Sequence, residues 1–325
     1  MTGKRLQVLW CSPKTAGTVR ELPLPETIEL RFATADASEE DRDWAEALVA
    51  GSPPARLLDG ARLRHVVVPF AGVAAELRAR TLERPHLSVH NSHYNAEMVA
   101  QHALALTMAC AGRIVASDRA MRRGDWGDDT ASTHSSMFLP GKVALLLGFG
   151  HIGKALVAPL TALGMDVRAW RRRPVEGGVP TYGPERLREA LAEADVVIVS
   201  LPGTAETDGL IGADELACMK GGAVLVNVGR GSVIDEEGLY RTLAERRIRA
   251  AGLDVWYHYP ERRDELVRVF PSRFPFQELD NVVLSPHRGN DVDEWREVSA
   301  RDALITLAAL ARGEDRNRVD LGNGY

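Results

Sequence analysis

Cysteine is scarce in this chain of 325 residues. The three present, Cys11, Cys110 and Cys218, are too scattered for a metal or redox pair and suit a reducing compartment better than a disulfide framework. Long apolar runs are missing as well. No uninterrupted stretch approaches the roughly 18 residues that suggest a membrane span, and residues 1–5 lead into a strand-like segment without a signal-peptide pattern. Surplus positive charge is absent: 40 Lys and Arg stand against 45 Asp and Glu, a formal charge of −5. That balance gives neither nucleic acid nor an anionic membrane a reason to bind. There is no internal repeat or low-complexity tract. His90 and His93 are three residues apart, but no nearby Cys or acid pair completes a metal set, so no metal is expected. These absences leave a cytoplasmic globular protein with room for two domains of roughly 150 residues.

What is present is concentrated around Gly148, Gly150 and Gly153. The apolar run 142–147 reads as a strand buried on both faces. Gly148 and Gly150 permit a tight turn and close approach of backbone to a pyrophosphate, while Gly153 lets the next helix, 154–163, lie against the sheet. His151 and Ile152 complete the turn through their backbone, and Gly164 fits the helix C-terminus. The helix N-terminus offers free N–H groups and partial positive charge to phosphates. A second strand, 165–170, ends in Arg171, Arg172 and Arg173, with Arg171 lying 18 residues beyond Gly153. An acid there would bind the adenine-ribose hydroxyls of NAD. Three guanidinium groups suit a 2′-phosphate instead, through charge-assisted hydrogen bonds. NADPH is therefore expected over NADH, with NAD use left open.

Strand and helix segments alternate on both sides of this turn. Before it, strands are expected at 6–10, 28–33 and 64–68, with helices at 41–49 and 73–81; a long helix covers 95–113 and a polar linker 124–140. After it, strands are expected at 196–200, 223–228, 250–255 and 282–285, with helices at 185–193, 213–219 and 236–246. A last long helix, 291–312, can return the chain to its first part. The fold class is α/β, with two Rossmann-like, doubly wound parallel-sheet domains. Residues 1–98 and 289–325 make a discontinuous outer, substrate-binding domain, and 99–288 a dinucleotide-binding domain, with the active site in the cleft.

The carboxyl ends of the later strands carry chemistry. Reduction of a 2-oxo acid needs a cation for its carboxylate and a proton donor beside its carbonyl. Arg230 offers a planar fork for the first, and His287 a near-neutral pKa for the second. Ser92 and Ser285 show no oriented His–acid pair, which argues against a hydrolase. Tyr94, Trp256, Tyr257 and Phe270 are aromatic residues available to line a substrate cleft or to pack together.

With these residues in place, the chain closely resembles the D-isomer-specific 2-hydroxyacid dehydrogenase family. The likeness runs from the turn at 67–72 to His287. It rests on Asn91-Ser92-His93-Tyr94-Asn95, the glycine fingerprint, Leu201-Pro202 with Thr207, Asn227-Val228-Gly229-Arg230-Gly231, Gly252-Leu253-Asp254-Val255 and Ser285-Pro286-His287. The resemblance implies that Arg230 binds the substrate carboxylate, that His287 is the acid/base, and that Asp254 lies near the nicotinamide carboxamide. It implies cofactor contacts at Leu201, Pro202, Thr207, Val228, Gly229, Arg230, Asp254 and His287, substrate contacts at Ala71, Gly72, Asn95 and Arg230, a D product and a homodimer.

One departure stands out. Most hydroxyacid dehydrogenases of this family pair the histidine with a glutamate, and Tyr259 occupies its place. A neutral tyrosine cannot stabilise imidazolium as a carboxylate does; Glu261 or Glu265 could substitute through a different loop path. Two functions are consistent with this sequence: a reductase of a small 2-oxo acid such as glyoxylate or hydroxypyruvate, or a nucleotide-sensing or interaction protein on the same scaffold.

Overall fold

Short apolar segments in the first hundred residues pair as five parallel strands: β1 (Leu6–Trp10), β2 (Ile28–Phe32), β3 (Ala47–Val49), β4 (His65–Val67) and β5 (Ser88–His90), in the order β2-β1-β3-β4-β5. The computed structural model describes residues 5–126, 135–172, 178–260, 267 and 269–322. It forms two units, Met1–Asn95 with Asp291–Tyr325, and Ala96–Asn290.

In the first unit, strand alternation feeds a core on each face of the sheet. Leu9, Leu48 and Val66 pack with Leu57, Leu58 and Leu77, from the helices α3 (Ala55–Leu58) and α4 (Ala75–Leu82). Val8, Trp10, Val49 and Val67 face Ala303, Leu304 and Leu307 of the long helix Trp295–Ala311. Helix α1 (Pro13–Glu21) follows β1. The expected helix over 41–49 is corrected. Helix α2 (Glu39–Trp44) starts where the Ser38 hydroxyl accepts the Asp41 N–H at 3.1 Å, and it stops at Ala45, whose backbone is extended. Residues 47–49 then form β3, buried throughout. Three apolar residues carry no period, so pattern alone cannot tell such a strand from a helix end. Strand β5, which the sequence did not suggest, is equally short.

Beside β5 runs a hydrogen-bonded relay. His65 Nδ1 lies 2.8 Å from Ser88 Oγ, Ser88 Oγ 2.8 Å from His90 Nε2, and His90 Nδ1 2.8 Å from the Arg316 carbonyl. The carbonyl can only accept, so His90 donates from Nδ1 and, when neutral, accepts from Ser88 at Nε2. The segment carrying Arg316 is held further by Val319 N–H to the Val89 carbonyl at 2.8 Å.

The second unit holds β6 (Val143–Leu147), β7 (Asp166–Trp170), β8 (Thr181–Tyr182), β9 (Val196–Val199), β10 (Val224–Asn227), β11 (Ala250–Leu253) and β12 (Val282–Leu284), all parallel, in the order β12-β11-β10-β9-β6-β7-β8. Its helices are α5 (Ala96–Ala111), α6 (Ile114–Met121), α7 (His151–Ala162), α8 (Leu187–Glu193), α9 (Ala213–Ala217) and α10 (Glu236–Ala244). The long helix expected over 95–113 is α5, and Arg113, at its expected end, adopts a left-handed φ of 53° from which α6 starts. Sheet alternation again feeds two cores: Leu145, Val197 and Leu225 on one face, Leu146, Ile198 and Val226 on the other. Burial on both faces explains why these strands read as unbroken apolar runs. Among the described residues, no single helix is long and apolar enough to cross a membrane.

Candidate active site

Register assembles the site. Trp170, Leu147, Val199, Asn227, Leu253 and Leu284 form one row across β7, β6, β9, β10, β11 and β12. The segments that follow them all leave from the same carboxyl edge. The strand order reverses between β6 and β9, where doubly wound sheets hold their ligands.

The glycine turn follows β6. Gly148 has φ +99°, a conformation open to glycine, and a Cβ at Gly153 would lie 2.4 Å from the Gly148 carbonyl. Both positions therefore require glycine, the second so that α7 can start against the strand end. Gly150 caps α7 with no side chain to fill the space or satisfy the first-turn N–H groups. The His151, Ile152 and Gly153 amides thus present a cradle with the partial positive charge that phosphate favours. A dinucleotide fits this turn.

After β7, the Arg171 guanidinium lies 5.9 Å from the Phe149 ring centroid, and Arg172 pairs with Glu206. Arg173 lies outside the described residues, as do Glu261 and Glu265. The Leu201-Pro202 loop is closed by Thr207, whose Oγ1 donates to the Pro202 carbonyl at 2.5 Å and accepts the Thr204 N–H at 2.9 Å.

Arg230 follows β10 through Val228 and Gly229 in a turn tied by Asn227. The Asn227 Oδ1 accepts the Gly229 N–H at 3.1 Å, and its Nδ2 donates to the Arg230 carbonyl at 3.0 Å. Arg230 Nη1 donates to the Gly229 carbonyl at 2.7 Å, and the residue is exposed. Asp254, buried just past β11, accepts from Ser285 Oγ at 2.5 Å, Arg288 N–H at 2.8 Å and Gly289 N–H at 2.9 Å. Burial alone would raise its pKa, but hydrogen bonds from His102, Ser285 and the Arg288 amide hold it down to about 2. It is a carboxylate at any working pH.

His287 lies beyond β12, its ring 5.5 Å from that of Tyr259, centroid to centroid. The Tyr259 hydroxyl accepts the Trp256 N–H at 3.0 Å, and burial raises its pKa, so the phenol stays neutral. Burial lowers the His287 pKa; Asp254 opposes this and Arg230 reinforces it. Among the described residues no carboxylate hydrogen-bonds the imidazole. Trp256 donates from Nε1 to the Ser285 carbonyl at 2.7 Å, and Tyr257 from its hydroxyl to the Ile234 carbonyl at 3.0 Å. Both therefore brace the loops.

The second unit thus brings Arg230, Asp254, Tyr259 and His287 within one another's electrostatic reach. Ala71, Gly72 and Asn95 belong to the first unit. There, Asn91 Nδ2 donates to the Ala71 carbonyl at 2.8 Å and Ser299 Oγ to the Pro69 carbonyl at 3.1 Å, fixing the loop after β4.

One expectation is corrected. Ser285 does stand between a histidine and an acid: His102 Nε2, from α5, is 2.9 Å from Ser285 Oγ and 3.3 Å from Asp254 Oδ1. The Ser285 hydroxyl donates to the Asp254 carboxylate rather than to the histidine, so no imidazole base faces its proton and Ser285 is no activated nucleophile. A separation of 183 residues hid this contact; His102 on an apolar helix gave no local signal.

The family model for the D-isomer-specific 2-hydroxyacid dehydrogenase NAD-binding domain matches residues 104–289, more than half of the chain. Glyoxylate reductase of Pyrococcus furiosus is 36% identical over 221 residues, 66% of this chain, which spans 63% of that relative's length. Among solved structures, a D-isomer-specific 2-hydroxyacid dehydrogenase from Xanthobacter autotrophicus, in complex with NADPH and MES, superposes with a TM-score of 0.80 at 28% identity, covering all of both chains. An NADPH-dependent glyoxylate/hydroxypyruvate reductase from Sinorhizobium meliloti, in complex with NADP and malonate, gives 0.72 at 26% identity over 98% of each chain. On the extent of the family match across the glycine turn and the strand ends beyond it, the chain belongs to the D-isomer-specific 2-hydroxyacid dehydrogenase family.

Proposed function

We propose that this protein reduces a small 2-oxo acid of glyoxylate or hydroxypyruvate size, preferring NADPH, and yields the D-hydroxy acid where the product is chiral. The observation that carries the reading is the single register row, which delivers Arg230, Asp254 and His287 to the edge that bears the glycine turn. The names of the relatives support the substrate class, and NADPH or NADP in two of them supports the cofactor.

When bound, the reduced nicotinamide supplies the hydride. Arg230 takes the substrate carboxylate in its planar fork and fixes the carbonyl's orientation. His287, as imidazolium, donates a proton to the carbonyl oxygen as charge develops there. Asp254 keeps a fixed negative charge beside it. Arg171 and Arg172 bind the 2′-phosphate, and the amides of His151, Ile152 and Gly153 bind the pyrophosphate, with Leu201, Pro202, Thr207, Val228 and Gly229 flanking the dinucleotide. Ala71, Gly72 and Asn95 are the substrate-side residues of the first unit. Residues 1–98 and 289–325 serve the substrate and 99–288 the dinucleotide.

A cytoplasmic homodimer completes the proposal. Large apolar side chains of α5, α6 and the segments near them, including Met108, Ile114, Trp126 and Phe138, are exposed, Trp126 by 84%. Neither nucleic acid nor a membrane is a partner. A non-catalytic NADPH sensor is the second reading, favoured by Tyr259 in place of the family glutamate. NADPH consumption across a panel of 2-oxo acids separates the two. Turnover on a small acid supports the reductase, and tight NADPH binding with no turnover on any acid supports the sensor.

A further inference from the structure

The backbone at His287 is unusual for its residue type. Its φ is +57°, in the left-handed region that a side-chain-bearing residue rarely adopts unless its surroundings enforce it. The enforcing group is visible. Arg288 and Gly289, the next two residues, point consecutive N–H groups at the two oxygens of Asp254, 2.8 Å to Oδ1 and 2.9 Å to Oδ2. Such a pair of amides around one anion holds the turn that aims the histidine. Gly289 permits the approach, since a Cβ there would stand 3.0 Å from Asp254 Oδ2.

Asp254 is itself held from behind. Ser285 Oγ donates to Oδ1 at 2.5 Å, and His102 Nε2 lies 2.9 Å from Ser285 Oγ and 3.3 Å from the same Oδ1. Because the Ser285 proton is committed to the carboxylate, the His102 N–H is the donor, shared between Ser285 Oγ and the same Asp254 oxygen. Asp254 and Ser285 are buried, 1% and 8% exposed, so their geometry is set by these bonds rather than by water. An unbroken chain of hydrogen bonds therefore runs from His102 on α5, through Ser285, to the Asp254 carboxylate, which accepts in turn from the backbone just after His287. Every one of these residues lies within the second unit.

We propose that His102 is a positioning residue for His287, acting through Ser285 and the Asp254 carboxylate. The inference rests on the reading of His287 as the proton donor. His102 does not itself touch substrate. It fixes the rotamer of Asp254, and Asp254 fixes the turn. A nitrogen donor at that place matters more than the shape of the ring, so glutamine, which can carry an N–H to a similar position, serves in its stead, whereas leucine fills the space without donating.

The test compares wild type, His102→Leu and His102→Gln in three measurements: kcat and KM with glyoxylate and NADPH, melting temperature, and the His287 ring resonances in the cofactor-free protein. His102→Leu is expected to lower kcat roughly tenfold, since a misplaced acid loses its alignment with the carbonyl, with KM for NADPH within about twofold. His102→Gln restores most of that kcat, and the His287 resonances move in the leucine variant but not in the glutamine one. Unchanged kcat and unmoved resonances in His102→Leu overturn the proposal. So does a glutamine variant as impaired as the leucine one, with melting temperature falling in step, because that is packing alone. A His287→Gln control separates the two readings. If it retains wild-type turnover, the assignment of His287 as acid fails, while the resonance measurement still decides whether His102 controls His287.

Discussion

The rings of Tyr259 and His287 lie 5.5 Å apart, centroid to centroid, inclined at 55° to each other, so an uncharged aromatic group occupies the flank where a carboxylate would stabilise imidazolium. Burial lowers the His287 pKa, with Arg230 adding to the effect and Asp254 opposing it. Proton donation requires the charged ring. The reduction rate should therefore fall as pH rises through a value below that of an ordinary histidine. Tyr259→Glu should raise the histidine pKa by roughly 1 to 3 units and move that limb of the kcat/KM profile upward by as much. An unmoved limb rules out this account of the tyrosine.

Arg230→Ala should reduce kcat/KM for the 2-oxo acid by roughly 10²-fold or more, because an anchored carboxylate is what orients the reacting carbonyl. The fingerprint that holds the cofactor is untouched, so the NADPH dissociation constant should change by no more than about threefold. Equal losses in both measurements contradict the division of labour.

Arg172 is shared. Its partner Glu206 would sit close to a bound 2′-phosphate, and exposed ion pairs of this kind are weak, about 0–1 kcal/mol. Arg172→Ala should weaken NADPH binding roughly 10- to 100-fold, the worth of one or two charge-assisted hydrogen bonds, and leave NADH binding unchanged. Glu206→Gln should shift the preference the other way. Titration with 2′,5′-ADP and 5′-ADP reads both effects without turnover, and equal affinity of the two ligands for wild type refutes the NADPH preference.

In the first unit, burial and the neighbouring His90 push the His65 pKa down to about 4, and burial lowers that of His90 too. Both are held neutral in the fold but charge near pH 6.5 when unfolded. Their contribution to stability is complete above that pH and is lost as pH falls from there toward 4. Melting temperature should decline over this window more steeply in wild type than in His65→Gln. Parallel curves would show that the relay is not responsible.

Sequence pattern revealed the second unit well because its strands are buried on both faces and end in turns whose residue types are dictated by backbone geometry. Gly148 and Gly153 are required by a left-handed φ and by a carbonyl 2.4 Å from any Cβ, and such demands are written locally. The first unit was harder to read. Strands β3 and β5 have three residues each, too few for a period, and Ser38 starts a helix that ends after two turns. In the site, Arg230, Asp254 and His287 were legible as strand-end residues. His102 was not, because its role depends on contacts across 152 and 183 residues, which no spacing rule encodes.

The most direct measurement follows deuterium from C4 of labelled NADPH during reduction of hydroxypyruvate. Label at C2 of D-glycerate, formed by wild type and lost with His287→Gln, is the predicted result. NADPH bound without label transfer to any small 2-oxo acid, or label found only in the L product, would contradict the account.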